Sequence, residues 1–275
     1  MIAARDFERE LRIKAVAVYT AALVILLNRF FSRALLPQIG ETFTDSCQTE
    51  FVYRILTQIG IVPFFLNHHW VSAVFDISLF FTPVFFLAFR KRVFAVAFTV
   101  LVTFYFLAYN ITAFHHYHGL FAIVVVSIPF WSKSETRFNF LWEAVRYYWL
   151  YVFSSAAVWK ILRGSVFYQE QLSNILKQQQ LDLLLQQPES FRASIVQYLI
   201  SNPEAGHAVL LINVAVQLLF AVGFFTKKFD ALLFTLAVIF CAANYFVMNI
   251  VSVEMLILNL TLLNWSKINQ RFLKE

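Results

Sequence analysis

Three closely spaced histidines are the first residues in this sequence that could do chemistry. The stretch FHHYHGLF contains His115, His116 and His118, and His115 and His118 share one helical face. Neutral imidazole can act as a general base, a hydrogen-bond donor or a metal ligand. A zinc site would need a third ligand from His68, His69 or a carboxylate, so we predict no metal site from this spacing. Alternatively, these histidines anchor a helix end at a membrane interface.

Lys160, in YVFSSAAVWKIL, is the second candidate. A lysine that is partly removed from water can act as a base or nucleophile at neutral pH. The same side chain could instead extend its ammonium group to the membrane surface, which costs little. The sequence leaves both interpretations open.

Two carboxylates, Asp76 and Glu254, lie within otherwise apolar segments. An unpaired charge is costly there, so each needs a partner or a proton. Each lies about five residues from the predicted outer end of its segment, which is about 7 to 8 Å at helical rise. Lys160 and the histidines are expected at a similar or shallower depth, which favours one polar pocket. The structural alternative is that Asp76 or Glu254 pairs with Lys160 alone.

Membrane helices must position these groups. Of the 275 residues, 60% are hydrophobic and 14% charged, and the mean hydropathy is +0.67. Since about 20 apolar residues cross a bilayer, we predict an all-α, polytopic integral membrane bundle of about eight transmembrane segments (roughly seven to nine), forming a single domain over residues 1–275. The segments are Ala15–Phe31, Val71–Phe89, Val93–Phe114, His115–Trp131, Tyr147–Leu162, Ala208–Thr226, Ala231–Met248 and Asn249–Trp265.

Lysine and arginine near the segment ends predict the orientation, because short basic loops stay in the cytoplasm. The tight turns FRKRV and TKKFD place both termini on the cytoplasmic side, and we expect a bacterial inner membrane. All six histidines then fall outside. So do some cations, including Arg29 and Lys160. Because topology explains the dispersed basic excess, the expected partner is the lipid bilayer and not nucleic acid.

Two long segments are predicted on the outer face. Residues 32–70 form an outer loop in which Gly60 and Pro63 interrupt an apolar run, which favours an interfacial or re-entrant helix. Residues 163–207 alternate leucine and isoleucine with a solvated, glutamine-rich face and break at Pro188 and at Asn202-Pro203. This pattern predicts two amphipathic helices, either a lid over the pocket or a spacer.

The order FHHYHGLFAIVVVSIPFWS, a basic and aromatic connection, then YVFSSAAVWKILRGSVFYQEQL resembles a known membrane region. It is similar to the region shared by vitamin K-dependent gamma-carboxylases and bacterial HTTM (horizontally transferred transmembrane) proteins, and more distantly to DoxX-like proteins. The resemblance covers about Val71 to Asn249. It implies an outer-leaflet pocket for a vitamin K-type hydroquinone, with Lys160 as the base and His115 or His116 as the family's histidine.

The sequence departs from that family pattern at several positions. Ala156 and Ala157 replace an expected glycine neighbourhood, Trp159 replaces the first of two paired lysines, and Asn244 stands where a histidine is common in the pattern. The sequence also ends at Glu275 without the extramembrane region that engages protein substrates in the animal enzymes. We therefore do not expect carboxylation of proteins.

Three functions fit these residues. The first is an HTTM-like membrane protein whose outer-leaflet polar pocket binds a quinone, hydroquinone or lipid in a redox or carboxylase-like role. The second is a non-catalytic subunit of a multiprotein membrane complex, and the third is a proton-coupled transporter. Whether the protein is an enzyme stays open, as does the cofactor. In the first function the catalytic candidates are Lys160, His115 and His116, and the other pocket residues are Asp76, Glu254, His118, Asn110 and Trp159.

Overall fold

The computed structural model of the chain describes residues 2–38, 55, 58–112, 119–249 and 253–271. In this part of the chain every regular element is an α-helix or a 3-10 helix, so the all-α prediction is confirmed. The α-helices are α1 (Ile2–Phe31), α2 (Ile61–Asn67), α3 (His69–Phe89), α4 (Arg92–Thr112), α5 (Gly119–Ser127), α6 (Glu135–Leu162), α7 (Gln171–Gln179), α8 (Leu181–Gln186), α9 (Phe191–Ser201), α10 (Pro203–Leu219), α11 (Asp230–Met248) and α12 (Trp265–Arg271). The 3-10 segments are Leu36–Gln38, Ile128–Trp131, Ser165–Phe167, Phe220–Phe224 and Val253–Leu262.

Four stretches of the described chain are long and apolar enough to cross a membrane. Their mean hydropathy is 1.9 to 2.2, and they correspond to the second, third, sixth and seventh predicted segments. Much of their apolar surface faces outward: in the last of them only 17% of the residues are buried. Such a surface requires an apolar solvent, which a lipid bilayer supplies. The four stretches are His69–Phe89, Arg92–Asn110, Pro203–Phe224 and Asp230–Met248.

The other four predicted segments are helical in different ways. The first and fifth lie inside the longer helices α1 and α6. In the fourth, the described part is the short helix α5 followed by the 3-10 segment Ile128–Trp131. The eighth is not an α-helix: its described part is the 3-10 segment Val253–Leu262, and α12 begins only at Trp265. The predicted count of eight spans is therefore not established.

The turn expected near Met248 is confirmed. Helix α11 ends at Met248, and Asn249 follows in the left-handed region with φ 57°. Asparagine tolerates this conformation better than most residues because its short side chain can hydrogen-bond locally. This helix end therefore needs neither the glycine nor the proline that usually marks one.

The segment predicted to lie on the outer face at residues 163–207 contains more helices than expected. Residues 163–207 contain α7, α8 and α9 where the sequence predicted two helices, because Gln180 interrupts the first. Gln180 is buried: its Nε2 donates to the Met248 carbonyl at 2.8 Å, and its Oε1 accepts from Arg192 Nη2 at 2.8 Å. The prediction that the glutamines form a solvated face is thus wrong at this position. The predicted break at Asn202-Pro203 is confirmed, since α10 begins at Pro203.

Contacts divide the chain into two compact units, which are described separately. Unit 1 comprises Met1–Glu143, Val253–Leu258 and Asn264–Glu275, and unit 2 comprises Ala144–Ser252 and Asn259–Leu263. The core of unit 1 is aromatic: the ring of Tyr19 lies 4.6 Å from that of Phe86 and 5.3 Å from that of Phe130.

Unit 2 has two apolar regions. Phe153 stacks on Phe220 with ring centroids 4.1 Å apart. A second cluster joins α7 and α9 to α6 and α10. This cluster includes the buried residues Ala157, Leu172, Leu176, Val196, Leu199, Leu210 and Val214.

An ion pair between the buried Arg146 and the partly buried Asp230 connects α6 to α11 within unit 2. Arg146 Nε lies 2.9 Å from Asp230 Oδ2, and Arg146 Nη2 lies 2.6 Å from Oδ1. Nη2 also donates to the Gly223 carbonyl at 3.0 Å. A Cβ atom at Gly223 would lie 2.6 Å from a Leu150 methyl group, so the close approach of the chain to α6 requires glycine here.

We expect Asp230→Leu to lower the free energy of unfolding by about 3 kcal/mol, because it leaves the buried Arg146 charge without its carboxylate partner. Arg146→Met should lower it by less, because Asp230 is only partly buried. The double variant Arg146→Met/Asp230→Leu should lose less than the sum of the two single losses. Thermal or denaturant unfolding of the detergent-solubilised protein measures all three. Fully additive losses would show that the two side chains do not stabilise one another.

Candidate functional site

Arg29, near the end of α1, is the centre of a buried polar group in unit 1. Its Nη1 lies 3.0 Å from Glu254 Oε1, and its Nε donates to the Tyr105 hydroxyl at 2.6 Å. The guanidinium also lies 4.1 Å from the ring centroid of Tyr109. Arg29 and Glu254 are both buried, so each charge compensates the other out of contact with water.

Asp76, in α3, is the second carboxyl group of unit 1. It is 8% exposed, and its Oδ1 has no hydrogen-bond partner among the described residues. It is close enough to Tyr105 to interact with it electrostatically, and the Tyr105 hydroxyl donates to the Ala34 carbonyl at 2.6 Å. A buried carboxylate oxygen without a donor is costly. Asp76 therefore requires either a proton or a donor from outside the described residues.

Asn110 lies in α4, one residue beyond Tyr109. It is buried, and its Nδ2 donates to the Phe106 carbonyl at 2.9 Å. The last turns of α4 thus carry the polar atoms of Tyr105, Tyr109 and Asn110 in an otherwise apolar helix.

Lys160 forms a separate polar group in unit 2. Its Nζ donates to Gln217 Oε1 at 2.7 Å and to Asn213 Oδ1 at 3.3 Å. Asn213 Nδ2 in turn donates to Asn244 Oδ1 at 3.5 Å, which extends the group from α6 through α10 to α11. The ion pairs of the described residues do not include Lys160. Its charge is therefore hydrogen-bonded but not neutralised by a carboxylate in that part of the chain.

The remaining predicted residues are distributed as follows. Trp159 is 53% exposed and stacks against Arg163, with the guanidinium carbon 4.6 Å from the ring centroid. His68 and His69 are exposed at the start of α3, and His68 Nδ1 lies 2.8 Å from the Phe64 carbonyl oxygen. The three remaining candidates, His115, His116 and His118, lie outside the described residues.

The predicted pocket residues that the structure describes are divided between the two units. Asp76, Glu254 and Asn110 belong to unit 1, whereas Lys160 and Trp159 belong to unit 2. The structural alternative of a carboxylate paired with Lys160 is not found among the described contacts, because Glu254 pairs with Arg29 and Lys160 bonds to amides. The single shared pocket stays a prediction.

Sequence reasoning missed four partners. Arg29 was predicted only to lie on the outer side, and Tyr105 was not a candidate. Asn213 and Gln217 could have been found: amides spaced i, i+4 share one face of a helix, and here they interrupt the apolar run of α10. Such a pair predicts a polar contact in the membrane.

Comparisons with known proteins give no further information about this site. No protein-family model, curated protein or solved structure matches this chain. The likeness to HTTM proteins and gamma-carboxylases therefore rests on the sequence segments quoted above.

We expect Arg29→Met to destabilise the protein by about 3 kcal/mol, because Glu254 would be left charged and buried. Tyr105→Phe removes one hydroxyl and should cost only about 1 to 2 kcal/mol. Arg137→Met, at an exposed arginine of the same unit, is the control and should have little effect. Thermal unfolding in detergent ranks the three variants. If Arg29→Met unfolds at the temperature of the control, the ion pair does not stabilise unit 1.

Proposed function

We propose that this chain is an HTTM-like integral membrane protein whose unit 2 binds a quinone or hydroquinone at Lys160. In this proposal the chain crosses a bacterial inner membrane about eight times, both termini are cytoplasmic, and Lys160 lies in the outer half of the bilayer. One observation carries the proposal. The Lys160 ammonium is held by two neutral amide oxygens, and no carboxylate of the described residues pairs with it.

The residues around Lys160 fit such a ligand. The amides of Asn213, Gln217 and Asn244 supply hydrogen-bonding atoms that can orient a hydroxyl or carbonyl oxygen. Ala157 and Val214 lie beside this group along α6 and α10 and belong to the apolar cluster of unit 2. An apolar site with a few convergent polar groups is typical of pockets for small, largely apolar molecules.

The charge balance of the group favours a ligand that becomes anionic. A hydroquinone supplies a hydroxyl group whose deprotonation precedes its oxidation. Lys160 must first release one proton of its ammonium group to water. The neutral amine then accepts the hydroquinone proton, so one O–H bond breaks, one N–H bond forms, and the new ammonium faces the new phenolate. The Asn213 and Gln217 oxygens keep the ammonium in place by hydrogen bonding. By the family resemblance, His115 or His116 would assist.

Binding of a short-chain quinone tests the proposal. The purified protein in mild detergent is titrated with ubiquinone-1 and with menadione, and binding is followed by tryptophan fluorescence and by calorimetry. Lys160→Gln keeps a polar side chain of similar length but removes the charge. We expect Lys160→Gln to bind at least about ten-fold more weakly than the parent, because a hydrogen bond from a charged donor is worth about 1.5 to 3 kcal/mol.

The matched control is Lys177→Gln, an exposed lysine in α7, which should bind like the parent. Equal affinities of the parent and Lys160→Gln would overturn the role of Lys160. A parent protein that binds neither quinone would overturn the function.

A second candidate is a non-catalytic subunit of a membrane complex. Exposed aromatic residues on the outer segment of unit 2 favour it: Phe167, Tyr168 and Phe191 are exposed outside the four apolar helices that could cross the membrane. Aromatic side chains are enriched at protein interfaces. Partner proteins that co-purify with the parent but are lost from Phe167→Ser/Phe191→Ser would support this role. Transport coupled to protons at Asp76 and Glu254 stays a prediction from the sequence.

A further inference from the structure

A groove of about 570 Å³ opens in unit 1 beside the turn that joins α3 to α4. Its walls come from the first half of α1, the end of α3, the start of α4 and the chain that leads into α6. All of these residues belong to unit 1. The geometry points to a binding site for one anionic phospholipid, with the phosphate at the cationic rim and an acyl chain along the apolar wall.

The rim of this groove is cationic. Arg12, Arg90, Arg92 and Lys133 line it, against the two carboxylates Glu8 and Glu135, which leaves two net positive charges. All four cationic side chains are exposed. Arg92 Nη2 donates to the Lys133 carbonyl at 3.4 Å, which holds the turn beside the approach to α6. Arginine and lysine side chains grouped in this way favour the phosphate of a headgroup.

The wall of the groove is apolar. Phe86, Phe130 and Phe138 form the base of this wall and are largely buried, and Leu11 and Val16 of α1 supply its more open aliphatic surface. Val16 is 48% exposed, so this surface is open to whatever fills the groove. A small soluble anion would leave that surface in contact with water. An acyl chain would cover it, which is favourable because burial removes apolar surface from water.

The position of the groove agrees with a lipid. Helices α3 and α4 are consecutive, both are apolar enough to cross a membrane, and only Arg90 and Lys91 separate them. A connection this short must lie at the surface of the bilayer, where the phosphates of the lipids are. The groove is therefore at the right depth for a headgroup above and an acyl chain below.

Native mass spectrometry of the full-length protein in neutral detergent tests this inference. The probes are dioleoylphosphatidylglycerol and dioleoylphosphatidylcholine, which share acyl chains and differ in charge. We expect preferential binding of the anionic lipid. Arg90→Gln/Arg92→Gln should weaken its binding on the order of ten-fold, because each cation near the membrane surface contributes about 1 kcal/mol. The matched control is Lys227→Gln/Lys228→Gln, which removes the same charge from the other basic turn and should change binding little.

A second variant keeps every charge. Val16→Trp fills the apolar wall and should also weaken binding of dioleoylphosphatidylglycerol, while the melting temperature stays near that of the parent. Equal binding of the two lipids, or equal losses in the two double-glutamine variants, overturns the site. If millimolar inorganic phosphate displaces the lipid completely, the groove is a simple anion site and the assignment to a phospholipid is wrong. None of these outcomes depends on quinone binding at Lys160.

Discussion

The cost of removing charge from water is the constraint on which the rest of this structure depends. The chain contains long apolar helices. Charged side chains within them need partners inside the protein. Two arginines meet this need with carboxylates far away in sequence: Arg29 pairs with Glu254 across 225 residues, and Arg146 pairs with Asp230 across 84. Each pair joins distant segments of one unit. Because an unpaired charge would be costly in any other register, the pairs favour a single arrangement of those segments.

The local features of the fold were predictable from the sequence. The apolar runs over α3, α4, α10 and α11 are long and almost free of charge, and Pro203 marks the start of α10. These signals depend only on neighbouring residues, since hydropathy and proline geometry act over a single helix. The end of α11 at Met248 was harder to predict, because an asparagine in the left-handed conformation takes the place of glycine.

The partners of the buried polar side chains could not be predicted in the same way, because they depend on tertiary contacts between segments distant in sequence. Nothing near Glu254 in sequence indicates Arg29, and nothing near Gln180 indicates the Met248 carbonyl that its side chain binds. The 3-10 segment Val253–Leu262 is another case. Its 10 residues are more than the usual 3–4 for this poorly bonded helix. Contacts of its side chains compensate, among them the hydrogen bonds of Asn259 with the Trp149 indole and the Phe234 carbonyl.

Two of the cations on helix α6, Arg146 and Lys160, have different partners, and this difference suggests different roles. Arg146 has a bidentate carboxylate partner, which neutralises its charge. The contact with α11 is enough to explain why an arginine is present there. Lys160, nearer the other end of the same helix, bonds to the oxygens of two amides, which orient the ammonium but carry no opposite charge. If anchoring were its only role, an apolar residue or a lysine with a carboxylate partner would be less costly there. A cation without a carboxylate partner among the described residues, beside an apolar cluster, is better suited to a group that gains negative charge when it binds or reacts. For this reason Lys160, rather than the neutralised Arg29 or Arg146, is the residue at which we propose that a ligand binds.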